Sequence, residues 1–201
     1  MKIIKYRKQG NGKYRLFLEN DIKIDLYEDV IIKNNLLYKK EIDNEIIKKI
    51  DEDNNNYDIY NRCVKYIMIR LRSEKEIRDY IKKYTQDNEL INRTIERLYI
   101  NKLLDDEKFT SAFVSDKFKF SSMGPYMIEA ELKKHHIRDE IIYEYINNIS
   151  KSDIHEKMDK QINKIIKSTR DKSKLKHKIY TNLLRLGYRQ EDIIHKLNDI
   201  F

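Results

Sequence analysis

The chain has 201 residues and a mass of 24.6 kDa, room for one large domain or several small modules with a real core. A 40% hydrophobic and 10% aromatic content excludes a disordered tail despite 38% charged residues, and 4 Gly and 1 Pro leave so little for long loops that a mainly α protein is expected. The net charge of +8 and pI near 9.2 suit a partner that is a polyanion, although an AT-rich coding sequence gives the same Lys, Asn, Ile and Tyr bias, so the arrangement of the cations must decide.

The first 50 residues carry period-2 alternation found nowhere else. In KIIKYRK, KYRLFLE and IKIDLYE, residues such as Tyr14, Leu16 and Leu18, then Ile22, Ile24 and Leu26, alternate with polar neighbours, which predicts three short strands of a β-meander. Gly10, Asn11 and Gly12 supply the first turn, Asn20 and Asp21 the second. A helical stretch EDVIIKNN follows, then a second helix from Glu41 to Ile50 with Ile42, Ile46, Ile47 and Ile50 at helical spacing. The polar cluster Asp51 to Asn56 reads as a domain boundary.

Beyond Tyr57 the apolar residues follow the 3.6-residue period and recur at an offset of 51: Ile77, Ile128 and Ile179; Ile81, Leu132 and Leu183; Ile91, Ile142 and Ile193; Ile95, Ile146 and Leu197; Leu98, Ile149 and Ile200. This register predicts three copies of a three-helix unit, at 57–104, 105–150 and 151–201, behind an N-terminal module at 1–56. In the first copy the helices run from about Ile59 to Leu71, Glu74 to Tyr84 and Glu89 to Asn101. Ser73 is the predicted N-cap of the second of these, with Glu76 completing a capping box; one repeat later stand Gly124 and Pro125, a permissive cap and a favoured first-turn residue. Gly187 is placed to close the third copy's second helix in the left-handed conformation, where the second copy has His136, a residue that enters that region reluctantly and predicts a distorted joint.

The cations cluster in and around these second helices. Arg70, Arg72, Lys75, Arg78, Lys82 and Lys83 surround the first, with Lys75, Arg78 and Lys82 spaced as a stripe away from Ile77 and Ile81. Lys174, Lys178 and Arg185 accompany the third, whereas the second has Glu129 and Glu131, with Lys133 and Lys134 only at its end. A single lysine of this kind is most simply a solvated face; the stripes together are candidate contacts to nucleic acid or to a filament.

The runs RLRSEKEIRDYI, IERLYINKLLDDEKF, GPYMIEAELKKHHI and LLRLGYRQEDIIHKL together resemble the RecX family of bacterial recombination regulators, and the N-terminal strands followed by YEDVIIKNNLLYKKEI are similar to the extra module of its longer members. The departures are Thr110, where that family has a small apolar residue, and His136, where it has Gly. The resemblance implies tandem three-helix repeats in an elongated curved arrangement. It also implies a regulator that lies along the RecA–single-stranded DNA filament, contacts RecA and DNA, and restrains recombination, ATP hydrolysis and co-protease activity in DNA repair and the SOS response. A cytoplasmic monomer without cofactor or membrane association is expected: no apolar run approaches the roughly 18 residues of a span, residues 1–10 lack a secretory h-region, and the single Cys63 allows neither an internal disulfide nor a cysteine-built metal site.

Two other classes compete. Asp105, Asp106 and Glu107 with His135 and His136 could be imagined as a metal or acid–base cluster, but LLDDEKF puts the acids where a helix begins, where negative charge suits the helix dipole, and the two His are expected to be exposed near a helix end. A helix-turn-helix transcription regulator is the second alternative, since three-helix units of this size can read a major groove.

Overall fold

A computed structural model describes residues 1–169 and 171–201. Three strands, β1 (Ile3–Gly10), β2 (Lys13–Leu18) and β3 (Lys23–Tyr27), form an antiparallel meander in the order β1-β2-β3. Its register sets Tyr6 opposite Leu16 and Leu16 opposite Ile24, so Leu16, Leu18 and Leu26 share the face that is buried. The first turn lies at Gly10, Asn11 and Gly12, and the second contains Asn20 and Asp21, both left-handed as the turn requires. Helix α1 (Glu28–Lys33) closes over this face with Val30 and Ile31, and Leu36, Ile42 and Ile50 complete the core.

Helix α2 (Asn44–Ile69) corrects the expected boundary, because it runs unbroken through Asp51 to Asn56. Two of those residues, Asp53 and Asn54, have polar partners at the end of α1 and on β3. Asp53 accepts from Lys33 Nζ at 2.6 Å and from the Asn34 side chain at 2.8 Å. The Asn54 amide accepts from the Tyr27 N–H and donates to the Asp25 carbonyl, each at 3.0 Å, which satisfies backbone groups at the end of β3. Burial opposes ionisation of Asp53, but the bonds from Lys33 and Asn34 outweigh it and hold the carboxyl below its ordinary range. The helix starts at Asn44 because the Asp43 side chain takes the Ile46 N–H at 2.8 Å.

The remaining helices are α3 (Glu74–Ile81), α4 (Asn88–Ile100), α5 (Asp106–Phe120), α6 (Pro125–Lys134), α7 (Asp139–Asn147), α8 (Lys151–Ser168), α9 (Leu175–Arg185) and α10 (Gln190–Ile200). Among the described residues no strand occurs after Tyr27. The chain divides into two compact units, residues 1–70 with 80–100, and residues 71–79 with 101–201. The 51-residue register reappears as burial. Ile77, Ile128 and Ile179 are fully buried, and so are or nearly are the three residues at each of the next three repeated positions. At the fifth, Leu98 is buried and Ile149 half-buried, but Ile200 is 41% exposed in the last turn of the final helix.

Candidate nucleic-acid or filament interface

The start of α3 is built as the capping box requires. Ser73 Oγ accepts the Glu76 N–H at 3.3 Å, and Glu76 returns its carboxylate to the Ser73 N–H at 3.2 Å. The same geometry fixes the cations around it. Arg72 is nearly buried and faces Glu76 at 3.5 Å. Lys75 pairs with Asp79 at 2.5 Å and Arg78 with Glu74 at 2.6 Å, both one helical turn away. Two of the three predicted stripe residues are therefore half-exposed and already hold a carboxylate. Lys82 and Lys83 follow the last residue of α3 and are exposed, Lys83 with its ammonium 5.7 Å from the Tyr80 ring, and Arg70 is exposed at the end of α2.

In the second copy Lys133 lies 2.8 Å from Glu129 and 3.8 Å from Asp139, and Lys134 lies 2.6 Å from Glu131. The Glu129 bond raises the Lys133 pKa, and the Lys134 bond lowers that of Glu131. In the third copy Lys174 stands in a short 3-10 turn before α9, 3.9 Å from Asp171; Lys178 donates to the Thr169 hydroxyl at 3.0 Å, and Arg185 is exposed in the last turn of α9. The candidates are thus of two kinds: Arg72, Lys75, Arg78, Lys133, Lys134 and Lys174 share their charge with a neighbouring acid, and Lys82, Lys83, Lys178 and Arg185 present theirs outward.

The imagined acid–histidine cluster has a structural use. Asp105 caps α5, accepting the Lys108 N–H at 2.9 Å, and that backbone bond lowers its pKa. Asp106 accepts the Glu74 N–H at 3.0 Å. His135 is not exposed as expected: its ring sits 5.0 Å from Phe109 and 5.5 Å from Phe113, with Nδ1 3.2 Å from Ser73 Oγ. Thr110 is fully buried and satisfies its hydroxyl on the Asp106 carbonyl at 2.7 Å, which explains how a polar residue fits an apolar position.

His136 and Gly187 close α6 and α9 with the same bonds one repeat apart. His136 N–H reaches the Lys133 carbonyl and Ile137 N–H the Leu132 carbonyl; Gly187 and Tyr188 do the same to Leu184 and Leu183. His136 adopts φ +56° and Gly187 φ +86°, so the expected distortion is absent: an exposed His enters the left-handed region and the cap forms. The turn after each of these helices meets the helix start of the preceding copy. Ser73 touches His135, and Gly124 N–H donates to the Leu186 carbonyl at 2.7 Å while Tyr126 N–H donates to the Gly187 carbonyl at 3.0 Å. A Cβ on Gly124 would lie 2.6 Å from the Gly187 carbonyl atoms.

Sequence reasoning passed over α8. Lys157, Lys160, Lys164 and Lys167 stand at i, i+3, i+7 and i+10, the spacing of one helix face, and line a cavity of about 840 Å³ with Lys119 and Phe120 from the end of α5. That spacing was available as a signal, but the second copy has Asp106, Phe109, Phe113 and Asp116 at the offset of 51, and α8, as a first helix, stood outside the comparison of second helices.

Two family models match the chain, one described as RecX, first three-helix domain over residues 60–98, the other as RecX, second three-helix domain over residues 105–146. Similar proteins include the regulatory protein RecX of Bacillus licheniformis, 30% identical over 187 residues covering 92% of this chain and 71% of the relative. That of Bacillus velezensis is 28% identical with the same coverages. A crystal structure of regulatory protein RecX superposes with a TM-score of 0.88 at 21% identity, covering 98% of both chains. That of RecX from Lactobacillus salivarius gives 0.65 at 23% identity, covering 72% of this chain and 97% of its own.

Proposed function

Because the chain belongs to the RecX family of regulatory proteins, we propose that it binds the RecA–single-stranded DNA filament and restrains RecA's recombinase, ATPase and co-protease activities in DNA repair and the SOS response. The observation that carries this reading is the match to RecX proteins along nine-tenths of the chain at up to 30% identity, rather than over one module. It acts by occupancy, with no chemical step of its own. The units of action are the N-terminal module and three three-helix repeats, the first of which shares the continuous helix α2 with that module, and a repeated surface suits a polymer whose subunits and phosphates also repeat.

Within this reading the outward cations Lys82, Lys83, Lys178 and Arg185 are the better contacts, since Lys75, Arg78, Lys133, Lys134 and Lys174 would first have to leave a carboxylate. Changing Lys82 and Lys83 together to Glu should weaken filament binding by roughly tenfold at low salt, about 0.7 kcal/mol per side chain, whereas reversing Lys75 should change little. Equal effects of the two variants in a filament-binding titration would return these residues to solvated faces. The function itself is tested by RecA-catalysed ATP hydrolysis on single-stranded DNA in the presence of the purified protein.

A further inference from the structure

We propose that the groove between the end of α5 and α8 is a binding site for the sugar-phosphate backbone of single-stranded nucleic acid, with Phe120 as a base-stacking platform. Its walls are strongly one-sided in charge. Lys119, Lys160, Lys164 and Lys167 edge the cavity against two acids, Asp153 and Glu156, and Glu156 is engaged by Lys160 at 2.6 Å. Lys164 and Lys167 are exposed and have no carboxylate partner among the described residues. On the same two helices Lys108 and Lys160 are held by an acid within a turn, whereas Lys164 and Lys167 are left open and have charge to give an anion.

The floor is fixed. Lys157 donates to the Met123 carbonyl at 3.0 Å and to the Phe118 carbonyl, with its ammonium 4.1 Å from the Phe118 ring, and so ties the C-terminal end of α5 to α8. Lys157 is therefore a positioning residue, and the outer lysines are the contacts. From Lys157 to Lys167 the helix rises about 15 Å, long enough for the row to meet more than one phosphate of a strand.

Phe120 selects the form of the ligand. It is 77% exposed at the end of α5, and Lys119 Nζ lies 5.3 Å from its ring. A free aromatic face beside a lysine row is the pairing that single strands use, since each unpaired base offers a π-face; a duplex keeps those faces stacked on one another. A polyglutamate chain could meet the lysines but has no ring to set on Phe120.

This assignment rests on the filament reading and deepens it by naming a strand contact, so binding is measured first without RecA. With the full chain, anisotropy of a labelled oligothymidylate is titrated at several salt concentrations. The K160E/K164E/K167E variant should bind at least about tenfold more weakly, with the salt slope reduced by about 2, near 0.7 for each phosphate that is no longer neutralised. F120A should bind about 5- to 100-fold more weakly with the slope nearly unchanged and with duplex binding unaffected. These residues are exposed, and an unchanged circular dichroism melt shows that weaker binding does not come from unfolding. Wild-type affinity in both variants, a preference for duplex, or competition by polyglutamate equal to that by oligothymidylate would overturn the assignment. Oligonucleotide binding that depends on these residues while RecA ATP hydrolysis is untouched supports the groove and counts against the filament reading. RecA inhibition that survives with no oligonucleotide binding overturns the groove alone.

Discussion

Replacing Gly187 by Ala should lower stability by about 2–5 kcal/mol, a fall in melting temperature on the order of 10 °C. Two costs combine. Gly187 has φ +86°, where a Cβ meets its own backbone, and that Cβ would also lie 2.4 Å from the Met127 nitrogen. The second cost dominates, because His136 holds the equivalent left-handed position at φ +56° with a full side chain, exposed to solvent. Relief requires the α9–α10 turn to move off the start of α6, which breaks the Gly124 to Leu186 and Tyr126 to Gly187 bonds. Gly12 is the control: it has φ +68° with nothing within 4 Å of an added Cβ, so Gly12→Ala should cost only about 1 kcal/mol. Equal melting temperatures for the two variants would show that the close approach is not what Gly187 serves. Gly124→Ala, which has no positive φ, should resemble Gly187→Ala.

A second large effect tests the repeat. Ile128 and Ile179 are both fully buried, the first in a core with Phe109, Leu132 and Ile142, the second in a core with Met158, Leu183 and Ile193. Truncating either to Ala removes the same atoms from equivalent places and should cost about 2–5 kcal/mol through forfeited transfer energy and the cavity left behind. The two costs should agree within about 1 kcal/mol, read from urea unfolding with an unchanged m-value. A cost below about 1 kcal/mol at one site only would mean that the copies share spacing but not packing.

These two predictions differ in how far the sequence carries them. The isoleucine register was legible because burial of one helix stripe imposes a period on residue type, and three copies repeat it. Ser73 and Glu76 were legible as a capping box because both partners lie within four residues. The continuity of α2 was not, since Asp53 and Asn54 look like loop residues until Lys33, Asn34, Tyr27 and Asp25 are brought to them from 19 to 29 residues away. The meeting of Gly124 with Gly187 is hidden for the same reason: each glycine has a local explanation as a cap, and the close approach appears only when positions 63 apart in the chain are folded together. For the candidate interface, spacing found the cations but not their neighbours. Lys75 with Asp79 and Arg78 with Glu74 are readable as one-turn pairs, and a sign count along each face, instead of a count of cations, separates them from Lys164 and Lys167.

The central claim is regulation of RecA by occupancy, and RecA ATP hydrolysis at fixed single-stranded DNA, titrated with this protein, tests it most directly. If each bound molecule covers only its own stretch of filament, as proposed, the rate should fall in proportion to the molar ratio of the two proteins and then saturate. A rate that stays at its starting value at every ratio would contradict the account.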